Sequence, residues 1–364
     1  MVFMPLASDH AVVDPATAAP PAEEQPQGPR VAVVYSRDYE INMGGLEKTH
    51  AFDIHKYQKI RKQLVADGLI AEQDCFVPKE LSREEILLVH TPAFLENLKH
   101  SAKVAEYIEA PIARLVPAKM LDAGMLRAFR HASGGTILGA RLALEHGVAV
   151  NIGGGYHHAK PDKGEGFCIY ADMPIAIRLL QKEKRIARAL VVDLDVHQGN
   201  GTAVCFQGDP SVFTFSMHQG NVYPIPKEKS DLDIVLSAGT DDDAYMKVLR
   251  GALPGVIDRA RPDLVFLQGG CDVLKGDPLA DLAMTKDGIV GRDAYVIDTC
   301  VKRKLPVVMV LGGGYSKEAW SVQHASIAGL LRTYGAIRRQ PPAQPKKPDL
   351  KIPDLNKLPS KFKK

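Results

Sequence analysis

Six short apolar runs punctuate the middle of this chain, at 31–35, 148–152, 189–194, 212–216, 264–267 and 307–311. They are rich in β-branched residues and apolar at both odd and even positions, as strands buried on both faces must be. Longer amphipathic stretches separate them. Ser82 with Glu85 reads as a capping box, and Thr91 followed by Pro92 as an N-cap with proline in the first helical position. Segments 287–304 and 316–334 read as long helices. Alternating strand and helix predicts an α/β domain of three layers, with a central, mostly parallel sheet covered on both faces. That domain is expected to run over 30–340.

Outside it the pattern fails. Residues 1–29 hold six prolines and little periodicity, and 341–364 are rich in proline and lysine. Both are read as disordered. The second segment holds seven lysines against two aspartates, a charge of +5 within a chain total of +3. The remaining −2 argues against direct nucleic-acid binding by the folded body. No apolar stretch reaches the ~20 residues of a membrane helix, and no secretory leader is evident. The five cysteines are odd in number and form no C-x-x-C pair. Free thiols in a reducing, cytoplasmic setting (nuclear in a eukaryote) fit better than a disulfide framework.

Unusual polar residues follow the C-terminal ends of the runs, the edge where parallel sheets bind ligands. His157 and His158 follow the second run, Asp195 and His197 the third, Asp272 the fifth and Tyr315 the sixth. Asp195 and His197 are two apart, so along a strand they point the same way and could reach one metal ion. A carboxylate and an imidazole suit zinc. The other reading is a helix start with Asn200 as N-cap and salt-bridged aspartates. Asp272, by itself a turn residue, would complete a set of three ligands, leaving a position for water. Two carboxylates would leave that water only weakly acidified, so a separate base becomes necessary. His157 and His158, after a glycine-rich turn, could supply it. Surface histidines or a dinucleotide loop are the alternatives, the second lacking G-x-G-x-x-G spacing. Tyr315, presented by a second glycine turn, could donate to a developing oxyanion or simply pack.

Taken jointly, these four segments resemble the arginase/deacetylase fold and, within it, the histone deacetylase family, over about 30–334. The resemblance implies zinc at Asp195, His197 and Asp272. It implies His158 as general base and acid, His157 as its electrostatic partner held by Asp193, and Tyr315 polarising the scissile carbonyl. It implies a tunnel for an acyl-lysine stem walled by Gly166 and Phe167, with Tyr223 and Leu279. It also implies potassium beside the zinc strand, at Asp193, Asp195, His197, Ser216 and Met217.

Segments 44–50 (GGLEKTH) and 197–201 (HQGNG) look like class IV members, with Asn200 near His158 where class I members carry an aspartate. Class I members also carry a substrate-gripping aspartate in a rim loop, and 109–119 contain none. The expected activity is hydrolysis of acetyl or longer acyl groups from lysine side chains of proteins or peptides. Small acylated amines such as acetylpolyamines are the nearest alternative. A two-metal ureohydrolase and a non-catalytic acyl-lysine binder are more distant ones.

Overall fold

The computed structural model describes residues 28–339 except Leu46, Lys48 and Thr49. The expected disorder of 1–29 and 341–364 falls almost wholly outside these residues. Seven strands form one parallel sheet: β1 (Arg30–Val34), β2 (Gly147–Asn151), β3 (Ala189–Asp193), β4 (Val212–Gln219), β5 (Leu232–Leu236), β6 (Leu264–Gln268) and β7 (Val307–Val310). Their spatial order is β1-β2-β7-β6-β3-β4-β5. Every residue of β3, β6 and β7 is buried, as helices on both faces require. Helix Arg127–His146 lies against β1, β2 and β7 and is flanked by Asp172–Lys182. Helices Asp242–Ala260, Lys286–Lys302 and Ala319–Tyr334 pack in succession, and Lys56–Ala66 docks on the last of them.

All six expected runs are strands, with ends shifted by up to three residues, the largest at the end of β4. The seventh, β5, escaped notice because it is an edge strand: LDIVL is mostly half-buried, and Val235 is 63% exposed. The other edge, β1, is closed by short partners. Phe76 N–H donates to Val33 O (2.8 Å), and Ile337 N–H donates to Val31 O (3.0 Å). Such capping removes an open template for strand addition. Ser82 and Thr91 cap their helices as expected. The last helix begins at Ala319 instead of residue 316. Asp277 Oδ2 takes the backbone N–H groups of Tyr315 (2.8 Å) and Ser316 (3.2 Å), holding them in the preceding turn.

Strand register sets up the functional edge. Val34, Asn151, Val310, Gln268, Asp193 and Ser216 form one row across the sheet, at or near the C-terminal ends of their strands. Four of the six are polar, yet all are buried. Such groups need partners, and the loops beyond the row provide them.

Candidate active site

Adjacency of β3 and β6 brings the loops that carry Asp195, His197 and Asp272 together. One ligand atom from each lies within 4.8 Å of the others, and all three residues are buried. His197 Nδ1 is 3.3 Å from Asp195 Oδ1 and 3.2 Å from Asp272 Oδ2. The remaining carboxylate oxygens are pinned by backbone amides, Asp195 Oδ2 by Gly313 (2.8 Å) and Asp272 Oδ1 by Val196 (2.9 Å). A side chain on Gly313 would place its Cβ 2.1 Å from Asp272 Oδ2, so only glycine lets this backbone approach.

This donor set fits zinc. Ligands at ~2.0–2.2 Å in a tetrahedron stand roughly 3.3–3.6 Å apart, close to the spacing here. The electrostatics agree. Burial and the neighbouring Asp195 charge push Asp272 above the ordinary carboxylate range. Burial opposes a charge on His197, but hydrogen bonds and charges from Asp195 and Asp272 outweigh it and raise its pKa to about 10. Two buried carboxylates facing one nitrogen call for a cation between them.

The histidine pair enters from β2 on the glycine turn. Asp172, fully buried, accepts from Gly155 N (2.8 Å), Tyr156 N (2.8 Å) and Thr136 Oγ1 (2.6 Å), fixing that turn immediately before the histidines. The β2 and β7 glycine turns touch, Gly312 N–H donating to Gly154 O at 3.3 Å. His157 and His158 lie ring beside ring, tilted by 46° with centres 4.0 Å apart, but their partners differ. His157 Nδ1 lies 2.9 Å from Asp193 Oδ2, and His158 Nδ1 lies 2.6 Å from Asn200 Oδ1. Burial alone would depress His157, yet Asp193 and Asp195 raise its pKa to about 9. For His158 burial acts first, and the charges of His157 and His197 add to it, holding the pKa well below its usual value. The two rings are thus pushed in opposite directions, His157 toward its charged form and His158 toward its neutral one. Asn200 is therefore not the N-cap of the following helix, where Gly199 stands without a side-chain cap bond.

Tyr315 follows the β7 turn, with its ring 6.3 Å from His197 and 5.9 Å from Phe167. Burial and the charges of Asp272 and Asp195 keep its hydroxyl protonated. Gly166 (φ 56°) and Phe167 (φ 65°) are both left-handed. That costs Phe167 of the order of 1–2 kcal/mol. The turn aims its ring between His50 (4.6 Å) and Tyr315. Tyr223 stands 4.9 Å from His158, ring centre to ring centre. Gly166, Phe167, the histidine pair and Tyr315 line one cavity with Ile41, Tyr57, Ala113, Val116, Leu121 and Met125. Tyr223 and Leu279 are not among the residues that line it; both are 37% exposed, and the Leu279 backbone N–H donates to Asp277 Oδ1 (3.1 Å). Ser216 and Met217 lie on β4 beside Asp193, where Ser216 Oγ meets His218 Nδ1 at 2.9 Å.

Three residues of this site carry no signal in the sequence. Lys56 is 1% exposed, and its ammonium donates to Gly312 O (3.0 Å) while lying 4.2 Å from the Phe52 ring centre. Burial lowers its pKa. Arg292, wholly buried, donates to Leu194 O (3.0 Å) between Asp193 and Asp195, and pairs with Asp293 (2.8 Å). Asp277 holds the Tyr315 backbone.

Comparison with known proteins agrees with this geometry. The "Histone deacetylase domain" family pattern matches residues 50–331. "Histone deacetylase 2" of Arabidopsis thaliana is 37% identical over 315 residues, covering 86% of this chain and 81% of that protein. Among solved structures, the HDA15 HD domain superposes with a TM-score of 0.65 at 22% identity, over 84% of this chain and 92% of that one. Acetylpolyamine aminohydrolase from Burkholderia pseudomallei superposes with a TM-score of 0.63 at 21% identity, over 83% and 98%. These two share the fold. Domain match and sequence identity together place this chain in the histone deacetylase family.

Proposed function

We propose that this chain is a zinc-dependent amidohydrolase that removes acetyl or longer acyl groups from lysine side chains of proteins or peptides. The observation that carries the reading is the convergence of His157, His158 and Tyr315, which line an apolar cavity, on the buried Asp195–His197–Asp272 cluster beside it. Zinc held by those three ligands would supply Lewis acidity, polarising a carbonyl and acidifying water. His158, neutral and oriented by Asn200, takes the proton of the attacking water and returns it to the leaving amine. His157, kept cationic by Asp193, offsets the negative charge that builds up beside it. The Tyr315 hydroxyl donates to the carbonyl oxygen as it becomes an oxyanion. Gly166 and Phe167 flank the alkyl stem. A potassium ion at Asp193, Asp195, His197, Ser216 and Met217 is a finer part of the proposal, and pairing of Asp193 with Ser216 in register is consistent with it.

The apolar lining of the cavity favours acyl chains longer than acetyl. Ala113, Val116, Leu121 and Met125 offer no polar group to a hydrophilic acid, and each buried methylene is worth ~0.8 kcal/mol. Acetylpolyamines remain the second reading, on the fold shared with acetylpolyamine aminohydrolase and on a 109–119 segment that holds no aspartate. Five free cysteines, four of them buried, support a reducing cytoplasmic or nuclear setting. Among the described residues no helix is long and apolar enough to cross a membrane. The test is kcat/KM on lysine peptides bearing acetyl through myristoyl, beside an acetylated polyamine. The reading expects peptide turnover rising with chain length. Preference for the polyamine, or hydrolysis of none of them, contradicts it.

A further inference from the structure

Asn200 presents a problem that an aspartate would not. A carboxylate beside His158 Nδ1 can only accept, so it would force the proton onto Nδ1 and leave Nε2 free as the base. An amide can turn over. With its NH₂ toward the ring it would donate to Nδ1, and the proton would sit on Nε2, leaving no base. Something outside the pair must choose between these states.

The chooser is visible two atoms further on. Asn200 Nδ2 donates to Glu165 Oε1 across a short contact. Glu165 is held ionised: burial works against its charge, but Lys163, Asn200 and Lys160 together bring its pKa below the usual value. Lys163 Nζ lies 2.5 Å from one oxygen and Lys160 Nζ 3.4 Å from the other. Lys160 is tethered in turn to Glu228 (3.0 Å). An ionised carboxylate is an acceptor only. Turning the Asn200 amide would set its oxygen against Glu165 and break a part-buried charge-assisted bond. Asn200 is 1% exposed, so water offers it no alternative partner.

We propose that Glu165 is a positioning residue that fixes the orientation of the Asn200 amide and, through it, the tautomer of His158. Glu165, Asn200 and His158 form a chain in which an acceptor-only carboxylate is set one residue back from the imidazole. The base is oriented as firmly as by a direct aspartate, without a negative charge against the ring. Glu165 also frames the Gly166–Phe167 turn through paired backbone bonds with Cys168 (2.9 and 3.2 Å). Any test must separate the side-chain role from that framing.

The inference rests on His158 being the base of the proposed deacylase, and the test reads both independently. Nitrogen-15 NMR of the zinc-loaded full chain reports the His158 tautomer without substrate. The Nδ1–H form is expected in the wild type and a mixture in Glu165→Leu. Glu165→Gln, which keeps the packing but offers both donor and acceptor, should also lose the single form. On an acylated lysine peptide, Glu165→Leu should lower kcat about tenfold or more at unchanged zinc content, as a base trapped in its inactive tautomer would. In an Asn200→Asp background, where no amide needs orienting, adding Glu165→Leu should cost less than about twofold. A single Nδ1–H tautomer persisting in Glu165→Leu and Glu165→Gln would overturn the inference, as would equal loss in both backgrounds. A wild type that hydrolyses no acylated amine, yet shows the expected tautomers, would remove the deacylase reading alone.

Discussion

His158 Nδ1 stands 2.6 Å from Asn200 Oδ1, while its neighbour His157 is partnered by the carboxylate of Asp193 at 2.9 Å. Two adjacent imidazoles thus have a neutral and an anionic partner, and their protonation states separate. Compared with Glu165→Gln alone, the double variant Asn200→Asp/Glu165→Gln would give both rings a carboxylate without setting two carboxylates against each other. A negative charge beside His158 favours its imidazolium and raises its pKa. A base works only when deprotonated, so activity should set in at higher pH. The acidic limb of kcat/KM should move up by about one unit at full zinc occupancy. Coincident acidic limbs would reject the coupling.

Tyr315→Phe removes the hydroxyl and keeps the ring that packs against Phe167 and Phe52. Zinc content and melting temperature should hold, while kcat falls by ~10²–10³, the size of one oxyanion donor. Unchanged kcat on an acyl-lysine peptide would take Tyr315 out of the mechanism.

Ala113→Leu places three further carbons in the wall of the apolar cavity. Acetyl-lysine should be hydrolysed within about threefold of the wild-type rate. A myristoyl-lysine peptide should lose about tenfold or more in kcat/KM, since two lost methylene contacts are worth ~1.6 kcal/mol. Equal effects on both chains would show that long acyl groups do not enter this space.

Asp293→Ala would strand the Arg292 guanidinium, wholly buried and bonded to Leu194 O beside the metal loop. Leaving one charge of a buried pair unpaired costs about 3–5 kcal/mol. Urea denaturation should show a loss of that order. A change below about 1 kcal/mol would mean that water or another group takes over from Asp293.

Much of this was legible in the sequence because the sheet is regular. Buried parallel strands announce themselves as runs apolar at both parities, and residues just past their ends share one edge. Asp195, His197, Asp272, His157, His158 and Tyr315 could be gathered from that rule before any coordinates. β5 was hidden because an edge strand with an exposed Val235 lacks the signature. Lys56 was hidden for a different reason. It opens a helix whose Lys59 and Lys62 face solvent, and the approach of the β7 glycine turn encloses it. Glu165 lies 35 positions before Asn200, and no local pattern links a loop glutamate to a helix-opening asparagine. Tyr223 and Leu279, which the resemblance puts on the tunnel wall, both lie outside the lining of this cavity, and no pattern in the sequence separates them from Gly166 and Phe167.

The central claim is that Asp195, His197 and Asp272 hold the zinc that the reaction requires. Elemental analysis together with turnover of an acyl-lysine peptide tests it most directly, in the wild type and in Asp195→Ala, His197→Ala and Asp272→Ala. One zinc per chain and measurable hydrolysis are expected in the wild type. Each variant should lose most of the metal and at least ~10³-fold of the rate, since a three-ligand site rarely survives removal of one ligand. Full zinc occupancy with near-normal turnover in any of the three variants, or a wild type equally active after its zinc is removed, would contradict the account.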